Sequence, residues 1–297
     1  IAYKFQGDSG ETILNDVEWS VARTGVITPV AIVEPVLLSG AKVRRASLHN
    51  IGILKKLGIT KGAKVVMMRR GGVIPNLESV IEKGHGEIEI PKKCPSCGSP
   101  TKIEEDFLYC TTPKSCVQSK IGELSHFVKT VGIDGFGEKL LVRLYENGIV
   151  TDSSELYELT KDDLLSVERM GDTLADKLLN NINSRRTMSL GVFLQSLGIR
   201  ELGKHAGKIL SEFGSLEKVF ALTEDELSEI HTIGPVIARE VVAGLRSKSK
   251  FIERLLKYIK IKKNKIKNEG RFSGKSFLFT GSLMSMERNS AQKLVEE

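Results

Sequence analysis

Tryptophan occurs once in this chain of 297 residues, at Trp19, and aromatic residues make up only 6% of it. A surface that holds unpaired nucleic-acid strands by stacking successive bases needs more rings than that. No run of about 18 apolar residues is present, so a membrane-spanning helix is excluded and no membrane partner is expected. No basic-then-apolar leader with a small-residue cleavage site opens the chain, so a cytoplasmic location is expected. Cysteine is confined to four positions between Cys94 and Cys116, so no disulfide framework runs through the fold. The signature of disorder is missing too: hydrophobic residues reach 40% against 27% charged. The length exceeds that of a single ordinary domain, so two or more cores are expected. The chain opens at Ile1 without methionine and stops at Glu297 inside a helical pattern, which reads as a piece of something longer.

What is present begins with charge. Lysine and arginine number 44 against 37 acidic residues, a formal +7 that favours a polyanionic partner. Short β-type runs at Asp16–Val21, Val30–Leu38, Lys64–Met68 and Ile88–Ile90 are punctuated by glycines and broken by one helical stretch, Ser47–Leu57. That combination predicts a small β-barrel with one inserted helix, OB-like rather than immunoglobulin-like. After the cysteines the texture turns helical as far as about Ile261. A basic run follows, from Lys257 through Lys260, Lys262, Lys263 and Lys265 to Lys267, readable as a linker or as a strip touching phosphates. Lys275–Thr280 then reads as a buried strand and Met286–Glu297 as the start of a helix, the opening of another α/β domain.

Cys94 and Cys97 form a Cys-x2-Cys knuckle, and Cys110 and Cys116 supply a second pair. Four thiolates at this spacing suit a tetrahedral zinc ion with no open position, hence a structural metal. An iron–sulfur cluster takes the same ligands and stays open as an alternative, and two disulfides or four unrelated buried thiols would be the readings without metal.

The helical half repeats itself. GIDGFGEKLLVRL, VERMGDTLADKLL, GIRELGKHAGKIL and IHTIGPVIAREVV each hold a glycine-ended turn and an amphipathic helix, and Gly137, Gly171, Gly203 and Gly234 are spaced by 34, 32 and 31 residues. The pattern resembles a tandem of four helix-hairpin-helix motifs, in which glycine supplies a positive φ and leaves backbone amides open to a phosphate. Gly135 belongs to the first turn, and Lys139, Arg143, Lys177, Lys204, Lys208 and Arg239 follow the glycines. A protein-binding helical repeat of similar period is the alternative.

Taken in order, AYKF (Ala2–Phe5), the run Asp16–Val36, RASLHN (Arg45–Asn50), LGITKGAKVVM (Leu57–Met67) and RRGGVIPN (Arg69–Asn76), with the cysteine pairs and the repeat, resemble the bacterial NAD-dependent DNA ligases. The resemblance covers essentially the whole chain and implies a multidomain α+β fold: the tail of a nucleotidyltransferase domain (1–8), an OB-fold barrel (9–90), a four-cysteine zinc module (91–120), an all-α helix-hairpin-helix domain (121–262), a basic linker (263–271) and the opening of a BRCT domain (272–297). It implies a monomer, associated with the nucleoid, that seals nicked double-stranded DNA with NAD as AMP donor and Mg2+ or Mn2+ as catalytic metal. Lys4 matches a lysine that touches the adenylate phosphate. Arg23, Arg69 and Arg70 would face DNA strands from the barrel, and Val73 and Ile74 match an apolar pair pressed into the minor groove. Gln6, Gly7, Ala22, Asn76 and Leu77 depart from the family pattern. No Lys-x-Asp-Gly occurs, so the lysine nucleophile is not in this chain and self-adenylation by it is not expected. A non-catalytic repair scaffold built from the same three modules is the rival reading.

Overall fold

The computed structural model describes residues 8–70, 74–262, 275, 277–279, 283 and 285–296. Five strands form the first unit: β1 (Asp8–Val21), β2 (Val26–Leu38), β3 (Ala41–Ser47), β4 (Lys64–Arg70) and β5 (Ile74–Glu82), with helix α1 (Ile51–Leu57) between β3 and β4. Hydrogen bonding runs β1-β4-β5-β3-β2 and returns from β2 to β1, which closes the barrel. β3 meets β5 in parallel, and the other barrel pairs are antiparallel. This is the OB arrangement. In β2 every second residue from Ile27 to Val33 is buried, and the alternation breaks at Glu34-Pro35. The register with β3 slips there, so the proline sits at an irregularity, where its missing N–H costs no ladder bond.

The expected strand at Ile88–Ile90 does not form. Its side chains pack instead, Ile88 on the barrel core and Ile90 on the cysteine core, so the apolar alternation reflects burial without a ladder. Strands β3 and β5 carried no strong signal because their outward faces are charged or polar: β3 buries only Val43 and Ala46 among Lys42, Arg44 and Arg45. Helix α1 begins four residues later than expected, after Asn50, whose side chain accepts from the Ile53 amide at 2.9 Å.

Two more strands, β6 (Thr101–Glu104) and β7 (Phe107–Cys110), extend the same sheet, with β7 pairing on β2 through Val26↔Tyr109 and Ile27↔Leu108. The cysteine hairpin therefore borrows its core from the barrel. Val21, Ile27 and Ile51 pack with Leu108, Cys94, Cys110 and Cys116.

The helical unit follows in one extended core. Its helices are α2 (Val117–Val131), α3 (Glu138–Glu146), α4 (Lys161–Leu165), α5 (Asp172–Asn183), α6 (Leu190–Ser196), α7 (Lys204–Ser211), α8 (Leu216–Ala221), α9 (Glu224–Ser228), α10 (Pro235–Ser247) and α11 (Ser249–Leu256). A short strand β8 (Thr187–Ser189) pairs in parallel with β9 (Lys260–Lys262). The first lysines of the basic run are thus a closing strand, and the expected linker, 263–271, lies outside the described residues. Helix α12 (Arg288–Glu296) forms near its expected place. The buried strand expected at Lys275–Thr280 is not formed among the described residues: 275 and 277–279 have no regular structure, and Leu278 is 86% exposed. A strand needs a neighbour to satisfy its ladder and cover its apolar face, and none of the described strands supplies one. Among the described residues, no helix is long and apolar enough to cross a membrane.

Candidate nucleic-acid interface and cysteine centre

The four thiols converge. All four sulfurs lie within 4.8 Å of one another, Cys94 with Cys116 at 3.9 Å and Cys97 with Cys110 at 3.5 Å. Tetrahedral zinc with Zn–S near 2.3 Å sets its sulfurs about 3.8 Å apart, so the donor set fits the ion. The cysteines are free thiols, which removes the disulfide reading. The knuckle turns at Gly98, where the Gly98 amide donates to the Cys94 carbonyl at 2.9 Å. Burial pushes the Cys94 thiol up to about 12, whereas the Ser99 hydroxyl and amide bring Cys97 down to about 6. Burial opposes ionisation of Cys116, but hydrogen bonds from Ser96 and Ser119 hold it below the ordinary thiol range. Cys116 is also the residue at which α2 begins, so the helix's positive end favours its thiolate.

Each repeat unit is a pair of helices: α2 with α3, α4 with α5, α6 with α7, and α9 with α10. The leading helices α4, α6 and α9 are capped by the hydroxyls of Thr160, Ser189 and Thr223. The second helices α3, α5, α7 and α10 all begin at glycine, Gly137, Gly171, Gly203 and Gly234, with no side-chain cap. A β-carbon built on any of these four would meet nothing within 4 Å, so no internal packing requires glycine there. The first-turn amides that find no partner within these helices, fewer in α10 because Pro235 has none, are left to solvent or to an external acceptor, and an anion such as a phosphate oxygen matches both the free N–H groups and the helix dipole.

One expectation is corrected. The four glycines have negative φ, from −108° to −69°, because an N-cap residue is extended. The left-handed residue lies two positions earlier in every repeat: Gly135 (φ 91°), Arg169 (64°), Glu201 (63°) and Thr232 (80°). Only the first of these is glycine, where a β-carbon would press on Leu178 at 2.6 Å. Between each left-handed residue and its glycine stands an apolar residue, Phe136, Met170, Leu202 or Ile233, that anchors the turn in the core.

Lys139, Lys177, Lys204, Lys208 and Arg239 are exposed on the second helices. Arg143 is turned away, donating to the Glu168 carbonyl at 2.8 Å. Arg69 reaches the carbonyls of Leu38 and Ser39 at 3.4 and 3.5 Å. Lys4 and Val73 lie outside the described residues, as do the side chains of Arg70 and Ile74. Arg23 departs from the open barrel face expected for it and lies in the seam between barrel and helices, donating to the Gly198 carbonyl. His126 and Lys248 join it there, and nothing in the sequence pattern marked either.

The closed barrel with its cysteine hairpin, followed by two helix-hairpin-helix pairs, defines the class: an OB-fold protein carrying a tandem helix-hairpin-helix domain. Residues 11–88 match the NAD-dependent DNA ligase OB-fold domain, 129–183 the SAM-like helix-hairpin-helix tandem, and 192–250 the helix-hairpin-helix motif. The chain is 39% identical over its whole length to a DNA ligase of Geobacter sulfurreducens, and 38% identical to those of Syntrophotalea carbinolica (100% of this chain) and Staphylococcus saprophyticus (98%). In each case it spans 46% of the relative, about half the length of the proteins it matches. Its barrel thus matches the OB-fold domain of NAD-dependent DNA ligases, and the chain as a whole is similar to part of the DNA ligases.

Proposed function

We propose that this chain is the DNA-clamping portion of an NAD-dependent DNA ligase, holding nicked duplex DNA as a monomer while adenylate transfer is done elsewhere in the complete enzyme. The observation that carries this reading is the fourfold recurrence of an uncapped, sterically open glycine at the start of the second helix of each pair. In this reading Gly135, Gly137, Gly171, Gly203 and Gly234 bring backbone amides to phosphates. Lys139 and Lys204 add charge beside them, a grip on the duplex backbone that does not depend on sequence. Arg69 and Arg70 approach the strands from the β4–β5 end of the barrel, and Val73 and Ile74 widen the minor groove near the nick. Cys94, Cys97, Cys110 and Cys116 hold a structural zinc, which supplies a fixed joint between barrel and α2 and no catalytic position. In the complete enzyme NAD donates AMP, a divalent magnesium or manganese ion offsets phosphate charge, and Lys4 stabilises the adenylate phosphate.

The test is fluorescence anisotropy of the purified chain with nicked and intact duplexes across a salt series. Nicked duplex is expected to bind more tightly, and affinity is expected to fall by about a thousandfold between 50 and 200 mM salt if about six phosphates are held. Equal affinity for the two duplexes would favour a general DNA-binding scaffold, and absence of salt-sensitive binding would overturn the DNA reading. With NAD and magnesium, the chain should form no lysine–AMP adduct.

A further inference from the structure

Strand β9 reads Lys260-Ile261-Lys262, and the alternation of a strand sends its two ammonium groups to one side. Ile261 packs with Met188 on the helical core, and both lysines are exposed. The strand is fastened at several points. The Lys260 amide donates to the Arg186 carbonyl at 2.7 Å, and the ladder with β8 sets Thr187 opposite Lys260 and Ser189 opposite Lys262. Just before it, the Tyr258 ring lies parallel to that of Tyr157 at 6.2 Å, with the Arg186 guanidinium over both rings. The Tyr258 hydroxyl donates to Glu158. The backbone that carries the two lysines is therefore fixed, unlike that of a linker. Its place adjoins the first hairpin. Arg185, one residue before the carbonyl that holds Lys260, donates to the carbonyl of Gly132, the residue that ends α2, at 2.9 Å. The second hairpin is distant, because α5 runs about 18 Å from Asp172 to Asn183. Arg185, Lys260 and Lys262 thus form a cationic row leading away from the first turn, and among the described residues none of the three is in an ion pair. Two acids of the neighbouring loop are already occupied, Glu158 by Tyr258 and Asp152 by Arg254.

We propose that Lys260 and Lys262 are a phosphate-contacting strip that continues from the first hairpin, so that a duplex backbone held at Gly137 runs on across β9. This rests on the reading that the hairpins hold duplex DNA. Each ammonium is a point charge on a flexible stem, which suits a phosphate and carries no sequence information. The first hairpin has need of such charge, since its own turn places Asp134 and Glu138 around Gly137 with Lys139 alone against them.

The test is the salt dependence of binding to nicked duplex, followed by anisotropy for the wild-type chain and for a double variant carrying Lys260→Gln and Lys262→Gln. Both changes spare the β8–β9 ladder, which is backbone, so the variant should melt with the wild type. If each ammonium neutralises one phosphate, the slope of log affinity against log salt should become shallower by about 1.8. Between 50 and 200 mM salt the variant should then lose about tenfold less affinity than the wild type does. A second measurement needs no variant, and it decides alone if the double variant fails to fold. Acetylation of the wild-type chain with an N-hydroxysuccinimide ester should slow severalfold at Lys260 and Lys262 when nicked duplex is bound. An unchanged slope, or equal acetylation with and without duplex, would overturn the proposal and leave the lysines as guards of an exposed strand edge. Absence of any duplex binding by the wild-type chain would instead overturn the reading of the hairpins, whereas tight, salt-sensitive binding with an unchanged slope removes the strip alone.

Discussion

The first two hairpins and the last two share a backbone and differ in almost everything attached to it. In the first pair, each turn is held by its partner. Asn181 and Arg185, in and just after α5, donate to the carbonyls of Asp134 and Gly132 at 2.9 Å, and Arg143 of α3 donates to Glu168. In the second pair, the His205 ring meets the Thr232 hydroxyl at 3.0 Å. The charges part in the opposite sense. Around Gly171 stand Glu168, Asp172 and Asp176, two of which occupy Lys161 at 3.0 Å. Around Gly203 stand Arg200, Lys204 and Lys208 with Glu201, which lies 3.8 Å from Arg200, whereas the three acids at Gly171 face Arg169 and Lys177. Repetition of a fold therefore conserves the amide cradle but not the electrostatic field that decides how well the cradle holds an anion. If the hairpins hold DNA as proposed, the second hairpin is mainly structural and the third does most of the gripping.

The largest effect is expected where the first pair is joined to the rest. Cys116 is both a thiol of the cysteine centre and the start of α2, so Cys116→Ser should release the metal and cost at least about 3 kcal/mol of stability. Metal content by mass spectrometry and a melting curve check this, and one zinc retained per chain would contradict it. A smaller change sharpens the contrast between the pairs. Asn181→Ala removes a tie to the first turn and should cost about 1 kcal/mol while leaving DNA affinity nearly unchanged, because the turn keeps its Arg185 bond. The smallest effect concerns acid. Burial holds the His126 imidazole below its ordinary range, the Gln195 carbonyl opposes this, and Arg23 and Lys248 reinforce it. The unfolded chain takes up a proton near pH 6.5, and the folded chain does so only lower. Stability is therefore unaffected above that pH and declines as the pH drops through it towards the folded value. Thermal melts from pH 7.5 to 5 should show that decline, and His126→Gln should flatten it.

Much of this was legible in the residues. The cysteine knuckle and the Gly-to-Gly period fixed the two centres because metal ligation and turn chemistry demand particular side chains at particular spacings. The barrel's β3 and β5 were hidden because half of a barrel strand faces water, and Lys42, Arg44 and Arg45 masked the pattern. The left-handed turn position was misplaced by two residues, since Gly203 is an extended N-cap in open space while Glu201 bears the positive φ without being glycine. The seam at Arg23, His126 and Lys248 lay beyond reach: their meeting depends on how α2, α10 and the barrel pack, and separations of 51 to 175 residues leave no local trace.

The unequal division of labour among four equal backbones is tested most directly by placing one carboxylate at each N-cap in turn. Aspartate is a good N-cap, so Gly137→Asp, Gly171→Asp, Gly203→Asp and Gly234→Asp should leave melting temperatures level or slightly raised while repelling a phosphate at that site. Measured against nicked duplex at one salt concentration, Gly203→Asp should weaken binding by about tenfold or more, the equivalent of about 1.4 kcal/mol, and Gly171→Asp by less than about twofold. Equal losses at all four sites, or a greater loss at Gly171 than at Gly203, would contradict it.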